Sequence, residues 1–259
     1  MDFTFWYLFP VGIIISILSM SAGISGANFW IPVYIFFIKI DPLVSFWLAL
    51  ITMLFGFGSG VARNIYQGTI NWYIVRQYLI PSVPAAVIGS LMSSYVNGNH
   101  LIFIFSSFIF IFGMYQLIAS ITSRKEQPKH RRIYRESGFA GGFLKGLIAT
   151  GLGKLIMPGM WDHERIKSPS QVIGSTIVIL FIVDFVAAIT RMNPDFVNKL
   201  FENRTVIINA LIFVVPSVVI GGQIGPRIIR NANANRLKIY ISVMLIFVSL
   251  LIFSRSLAL

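Results

Sequence analysis

The sequence predicts an all-α integral membrane protein, a polytopic helical bundle with about 8–10 membrane segments. Three observations support this prediction: a strongly apolar composition, hydrophobic runs of bilayer length, and a Gly/Pro-interrupted pattern that occurs twice. Of the 259 residues, 56% are hydrophobic, 12% are charged and none is Cys. One water-soluble core cannot bury so much apolar surface in a chain of this size. The composition therefore excludes a cytosolic enzyme, a disordered regulator and a disulfide-stapled secreted domain.

The hydrophobic runs come close to the roughly 20 residues that a helix needs to cross the hydrocarbon core. We interpret seven of them as spans: 3–20, 43–62, 72–95, 101–123, 170–190, 206–225 and 237–253. Two further pieces, 29–38 and 139–158, are short or interrupted by Gly and are expected to form hairpins or re-entrant pairs. The runs are continuous and do not alternate over about 10 residues, so helices are favoured over barrel strands.

The net charge of +12 comes from 21 Lys and Arg residues against nine acidic residues. The loops richest in basic residues are 124–135, 162–167 and 227–238, and the positive-inside rule places them in the cytoplasm. Loops 39–42, 95–100 and 191–204 and both termini are then expected outside. A cytoplasmic basic rim explains most of the charge, so we expect no nucleic-acid partner. A contribution of 124–135 to binding anionic lipid stays open.

A sequence pattern recurs in the two halves of the chain. Residues 23–32 read GISGANFWIP and residues 149–158 read ATGLGKLIMP, an offset of 126 that pairs Asn28 with Lys154. Further on, PAAVIG at 84–89 matches PSVVIG at 216–221, an offset of 132. The same motifs in the same order indicate an internal repeat.

The loop charges place the start of the first unit outside and the start of the second inside. The sequence therefore predicts two inverted repeats with Gly/Pro-broken helices at the midplane, a plan common among secondary transporters. The expected domains are a first transmembrane repeat at 1–123, a basic cytoplasmic linker at 124–137 and a second transmembrane repeat at 138–259.

The interruptions are the candidate binding positions. Gly permits a backbone turn and Pro removes a hydrogen-bond donor, so helices can break there. Broken backbone is tolerated in a bilayer only where protein or water covers it. The helix N-termini at such breaks present N–H groups and partial positive charge, which favour an anion. The alternative is that these small residues serve only close helix packing.

Polar residues near the breaks complete the predicted site. Lys154 is a candidate anion ligand, with snorkelling to the interface as the alternative. Asp184 is the acid in the middle of a span, and either pairs with Lys154 or Lys145 or carries a coupling proton. The hydroxyl side chains could instead bond to their own helices. The predicted substrate-binding residues are Ser25, Gly26, Asn28, Thr150, Gly151, Gly153, Lys154, Ser175 and Thr176.

The sequence offers no motif for catalysis or cofactor binding. His100, His130 and His163 all fall in predicted loops, so we expect no metal site. There is no P-loop and no intramembrane Ser–His or paired-Asp protease motif. We therefore expect a protein that is not an enzyme and has no cofactor.

The two Gly-rich stretches ending at Pro32 and Pro158, with the Pro-and-Gly helices that follow, resemble the sulfite exporter TauE/SafE family of membrane permeases. The resemblance covers nearly the whole chain. Ser25 and Ala27 stand where the family's first stretch has glycines, and Leu152 and Lys154 interrupt the second. The resemblance implies transport of a small sulfur-containing anion, such as sulfite or an organosulfonate, coupled to an ion gradient.

The sequence thus predicts a secondary-active transporter, an exporter working by alternating access, in the plasma membrane. Its partners would be a small anionic substrate, the lipid bilayer and a coupling proton or other ion. The alternatives are an anion channel and an intramembrane enzyme. The oligomeric state stays open.

Overall fold

A computed structural model describes residues 3–22, 25–122, 132–161, 163–229 and 234–256, and in this part of the chain it contains helices and no strand. The all-α prediction is therefore confirmed. The α-helices are α1 Leu8–Ala22, α2 Ala27–Pro32, α3 Pro42–Tyr66, α4 Trp72–Ser93, α5 Gly98–Ile121, α6 Arg135–Ile148, α7 Leu152–Trp161, α8 Pro169–Thr190, α9 Pro194–Glu202, α10 Arg204–Ile229 and α11 Ala234–Ser256. A 3₁₀ turn at Phe3–Phe5 precedes α1, and a π-helical segment at Val33–Phe37 continues α2.

Five of the described helices are long and apolar enough to cross a membrane: Pro42–Tyr66, Trp72–Ser93, Gly98–Ile121, Pro169–Thr190 and Arg204–Ile224. Shorter apolar helices occupy Leu8–Met20, Ala27–Phe37 and Ile239–Ser254. The prediction of a multi-pass membrane protein is thus supported by helix length and composition. The run 3–20, expected to cross as one span, forms the 15-residue helix α1. At 1.5 Å per residue such a helix is about 22 Å long, shorter than the roughly 30 Å hydrocarbon core.

Polar caps at the loop ends determine where several helices begin. The side chains of Asp41, Asn71, Ser168 and Asn193 accept backbone N–H groups in the first turns of α3, α4, α8 and α9. Such caps satisfy N–H groups that have no acceptor within the helix. A proline in the first turn of α3, α8 and α9 adds a residue whose φ suits a helix start.

Helices α6 and α7 form a hairpin that enters the bundle from one end. The Arg135 guanidinium, at the start of α6, donates to the Gln77 side chain near the start of α4 at 2.7 Å. After α7, the Arg165 carbonyl accepts from the Asn71 side chain at 2.9 Å, just before α4. Both arms of the hairpin therefore have their outer ends where α4 begins. We call this end of the bundle the basic end.

Helices α1 and α2 form a second hairpin, which enters from the opposite end. Helices α3 and α8 are antiparallel, because Trp47 near the start of α3 donates to the Ala188 carbonyl near the end of α8 at 3.1 Å. Since α8 begins at the basic end, α3 begins at the opposite end, and α2 with its π-helical extension returns there. The two hairpins thus enter the bundle from opposite ends.

Each hairpin packs tightly on a helix from the other half of the chain. Helix α6 lies against α4, and α1 lies against α10. A Cβ built on Gly142 would lie 2.3 Å from the Ser82 carbonyl oxygen, and one on Gly146 would lie 2.1 Å from the Ala86 carbonyl oxygen. Small residues permit such close approach of membrane helices. Most of the expected linker 124–137 lies outside the described residues.

Candidate functional site

The two helix breaks face each other inside the bundle. The second break joins α6 to α7 through Ala149 and Gly151, whose φ values are 56° and 109°. A positive φ is strained for most residues, and Gly151 meets this requirement without a Cβ. The first break ends at Ser25 and Gly26, and both residues are buried. Gly23, part of the same predicted stretch, lies outside the described residues.

Two polar side chains from the second break donate to one oxygen atom of a side chain from the first break. The Thr150 hydroxyl donates to Asn28 Oδ1 at 2.6 Å, and the Lys154 ammonium donates to the same atom at 3.3 Å. Asn28 Nδ2 donates in turn to the Ser25 carbonyl at 2.8 Å. Asn28 and Lys154, which the sequence repeat pairs at an offset of 126, are therefore in direct contact.

Lys154 is buried, at 5% exposure, and its ammonium lies among aromatic rings. Its Nζ is 4.5 Å from the ring centroid of Phe112 and 5.3 Å from that of Phe108, both on α5. Such cation–π contacts attract a desolvated ammonium. Among the described residues, no acidic side chain forms an ion pair with it. The ammonium therefore points into the protein and does not snorkel to a membrane surface.

Lys145 and Asp184 form a second buried charge cluster beside the first. Lys145 Nζ lies 2.9 Å from Asp184 Oδ1, and both side chains are fully buried. The same ammonium donates to Ser25 Oγ at 3.1 Å and to the Ala149 carbonyl at 3.0 Å. Of the two partners considered for Asp184, the structure shows Lys145. Ser25 links this ion pair to Asn28 and hence to Lys154.

Arg191 is a buried basic residue that the sequence interpretation placed in an outer loop. It follows α8, and only 2% of its surface is exposed. Its guanidinium donates to the Gly146 carbonyl at 2.6 Å and to the Leu147 carbonyl at 2.9 Å. These carbonyls belong to the last turn of α6, where a cation satisfies free acceptors and interacts favourably with the helix dipole. Arg191 does lie in the turn between α8 and α9, as expected, but its side chain is buried in the protein.

The remaining predicted residues divide into two groups. Gly26 lies at the start of α2 and Gly153 in the first turn of α7, both buried beside the converging side chains. Ser175 instead accepts the Asn71 backbone N–H at 2.9 Å, close to the basic end. The Thr176 hydroxyl contacts Met160 Sδ at 3.5 Å, in the outer half of α7. Sequence reasoning missed the two Phe rings around Lys154, because nothing in the pattern distinguishes them among 23 Phe residues.

The fold and these buried charges define a class of protein: a multi-pass helical membrane protein with ionisable groups at broken helices, as found in secondary transporters. The family model described as "Sulfite exporter TauE/SafE" matches residues 8–252, so the chain belongs to this family of membrane transporters. The chain is also similar to the "Probable membrane transporter protein YunE" of Bacillus subtilis (strain 168). The two are 22% identical over 278 residues, which cover 95% of this chain and 96% of the relative. No solved structure matches it.

Proposed function

We propose that this membrane transporter is secondary-active and carries a small oxyanion, namely sulfite, an organosulfonate or a related sulfur-containing anion. Asn28, Thr150 and Lys154 would bind the anion where the two broken helices meet. The observation that carries this proposal is Lys154: a buried ammonium, at the junction of both breaks, with no acidic partner among the described residues.

The chemistry of the cluster suits an oxyanion. A buried charge without a counter-ion has a high free energy. An anion that pairs with the Lys154 ammonium lowers this free energy and is therefore bound favourably. Asn28 and Thr150 add hydrogen-bonding groups that carry no charge and can reorient. The Phe108 and Phe112 rings lie over the ammonium and strengthen its electrostatics by keeping water away. The description of the family names sulfite, which supports a sulfur oxyanion as the substrate class.

The packing supports alternating access through two inverted repeats. The hairpins enter from opposite ends, and the repeat-related residues Asn28 and Lys154 touch, as residues beside a pseudo-two-fold axis would. We further propose Asp184 as the coupling position. Lys145 contacts both Asp184 and Ser25, so a proton on Asp184 would free the Lys145 ammonium to attract the anion. The direction proposed is export.

A thermal unfolding screen of the purified protein tests the binding site. We expect one of sulfite, sulfate, thiosulfate, an alkyl sulfonate and a carboxylate to raise the unfolding temperature selectively. At a free ligand concentration of 100 times its Kd, such a ligand raises the free energy of unfolding by about 2.7 kcal/mol. Lys154→Met keeps the side-chain length and removes the charge, so it should abolish the shift. Lys167→Met, at an exposed lysine, is the matched control and should preserve it. An undiminished shift in Lys154→Met would refute the proposed site.

Flux measurements in liposomes test the transport mechanism. A secondary transporter gives a flux that saturates with anion concentration and responds to an imposed ion gradient. A flux that rises linearly and follows only the anion's own gradient would instead indicate a channel. The two outcomes are distinguishable with the same purified protein.

A further inference from the structure

A small cavity opens at the end of the bundle away from the basic end. Its volume is about 100 Å³, enough for a small oxyanion. The ends of α4 and α8 and the helix α9 line it, together with the start of α3. Its lining includes Ser94, Arg191, Asn193, Asp195, Phe196 and Lys199.

The charges around this cavity favour an anion. Two basic side chains, Arg191 and Lys199, and one acidic side chain, Asp195, line the cavity. Arg191 is 98% buried, and among the described residues its Nε has no hydrogen-bond partner. Asn193 Nδ2 donates to Ser94 Oγ at 3.0 Å, which holds neutral polar groups at the rim. A buried guanidinium with an unused donor is a group that an oxyanion satisfies well.

The cavity also adjoins the broken-helix site. Arg191 binds the Gly146 carbonyl at 2.6 Å, and Gly146 is the residue after Lys145. Lys145 donates to Ser25 Oγ at 3.1 Å, and Ser25 belongs to the first break. Two polar contacts, joined through the backbone of α6, therefore connect the cavity to the residues around Lys154.

We propose that this cavity is a second binding site for a small oxyanion, at the mouth of the pathway opposite the basic end. Arg191 and Lys199 attract the anion, and Asp195 lowers its affinity so that it does not remain bound. The position in the pathway rests on the proposed function above, whereas binding at the cavity does not.

The test uses the purified full-length chain carrying Lys154→Met, which removes the inner ligand and isolates the second site. Binding of sulfite and sulfate is measured by calorimetry at low ionic strength, where exposed charges are least screened. We expect weak binding to persist. Lys199→Met added to this background should raise the Kd about 2- to 5-fold, and Asp195→Asn should lower it by a similar factor, as for charge pairs near a surface. Arg191 is left unchanged because it caps α6.

The matched control is Glu202→Gln, which removes an exposed acid from the same helix outside the cavity. It should leave the Kd unchanged. If Glu202→Gln lowers the Kd as much as Asp195→Asn does, the effect is general surface potential and the proposal fails. If no anion binds in the Lys154→Met background, the second site is also refuted. If instead Lys199-dependent binding persists while Lys154 contributes nothing in the otherwise unaltered chain, the inner site fails and the second site survives.

Discussion

At the scale of single residues, the ion pair between Lys145 and Asp184 dominates the interior. Both side chains are fully buried, so each has lost its hydration. Taking a charge out of water costs several kcal/mol, and a close partner offsets this cost only while both members are present. The pair therefore need not add net stability to the protein. Replacing one of its two residues, however, should destabilise the protein strongly.

A double-mutant cycle on this pair tests that reasoning. We expect Lys145→Met or Asp184→Leu alone to destabilise the protein by about 3–5 kcal/mol, because each leaves an uncompensated buried charge. The combination should recover most of the loss, since an apolar pair of similar size replaces both charges. Unfolding of each variant in detergent measures this. If the double variant instead loses as much free energy of unfolding as the two single variants together, the two charges do not stabilise each other.

An exposed ion pair supplies the control for this cycle. Arg132 and Glu136 lie 2.6 Å apart, and their side chains are 68% and 65% exposed. Their coupling should be at most about 0.5 kcal/mol, as for other i,i+4 pairs.

The double variant Lys145→Met, Asp184→Leu also tests proton coupling. If Asp184 couples transport to protons, any anion flux through this variant should not respond to a pH gradient.

The sequence allowed part of the candidate site, the contact of Asn28 with the second break, to be predicted at this scale. Asn28, Thr150 and Lys154 were recognisable because polar residues within Gly-rich membrane sequence have few structural roles. Arg191 was not, because a basic residue after a span looks like any loop charge. Its burial depends on its contacts with the last turn of α6, whose carbonyls lie 44 and 45 positions earlier in the sequence.

At the scale of helices, apolar runs predicted the long spans well, and the Gly-interrupted run 139–158 forms a broken pair, α6 and α7, as expected. The run 3–20 was predicted less well. Helix α3 covers Pro42–Tyr66, close to the predicted 43–62. The apolar run 3–20 is long enough for a span, but helix α1 ends at the first break and is only 15 residues long. Helix α9, Pro194–Glu202, was missed inside the predicted loop 191–204, although Asn193 followed by Pro194 is a typical helix start.

The contact between α4 and α6 makes a prediction at this scale. Gly142→Ala should destabilise the protein by about 1–3 kcal/mol, because the added methyl overlaps the Ser82 backbone and the helices must separate. Gly56→Ala on α3 is the matched control, since the nearest atom to its new Cβ would be 3.5 Å away. Thermal unfolding of both variants measures the difference. Equal stability of the two variants would contradict the rigid contact inferred here.

At the scale of the whole molecule, charge separates the two ends of the bundle. The described basic residues near the basic end include Arg63, Arg76, Arg132, Arg135, Arg165 and Lys167, against the acidic residues Glu136 and Glu164. At the opposite end, the basic residues of the loops 39–42 and 191–204, which are Lys39, Arg191, Lys199 and Arg204, are nearly balanced by Asp41, Asp195 and Glu202. This asymmetry agrees with the positive-inside rule, so a cytoplasmic basic end stays our prediction.

The helix pairs also bear on how the molecule would move. Alternating access by two inverted repeats predicts that one half of the sequence rocks against the other. Each tight pair, however, joins the halves: α6 of the second half packs on α4 of the first, and α1 of the first half packs on α10 of the second. In addition, α8 packs on α4 and α3 packs on α10. Helices α3 and α8 also pack on each other. We therefore propose that the tight pairs α4–α6 and α1–α10 are the cores of two moving bodies, α4–α6–α8 and α1–α3–α10, which meet where α3 contacts α8.

Disulfide cross-links distinguish these moving bodies, and the absence of native Cys makes each engineered pair the only thiols present. Ser82→Cys with Gly138→Cys joins α4 to α6 within one body, where a Cβ on Gly138 would lie 3.3 Å from Ser82 Oγ. Gly60→Cys with Ile177→Cys joins α3 to α8 across the two bodies, where the corresponding distance to Ile177 Cγ2 is 3.3 Å.

Oxidation should leave anion transport nearly intact in the variant with the α4–α6 link. It should abolish transport in the variant with the α3–α8 link, and reduction should restore that transport fully. The reason is that a rigid body tolerates an internal link, whereas alternating access needs its two bodies to change their relative position. Anion flux in liposomes, measured before and after oxidation and again after reduction, gives the result. Loss of flux from the link between α4 and α6 would mean that these helices separate during transport, and the sequence halves would then be the moving bodies after all.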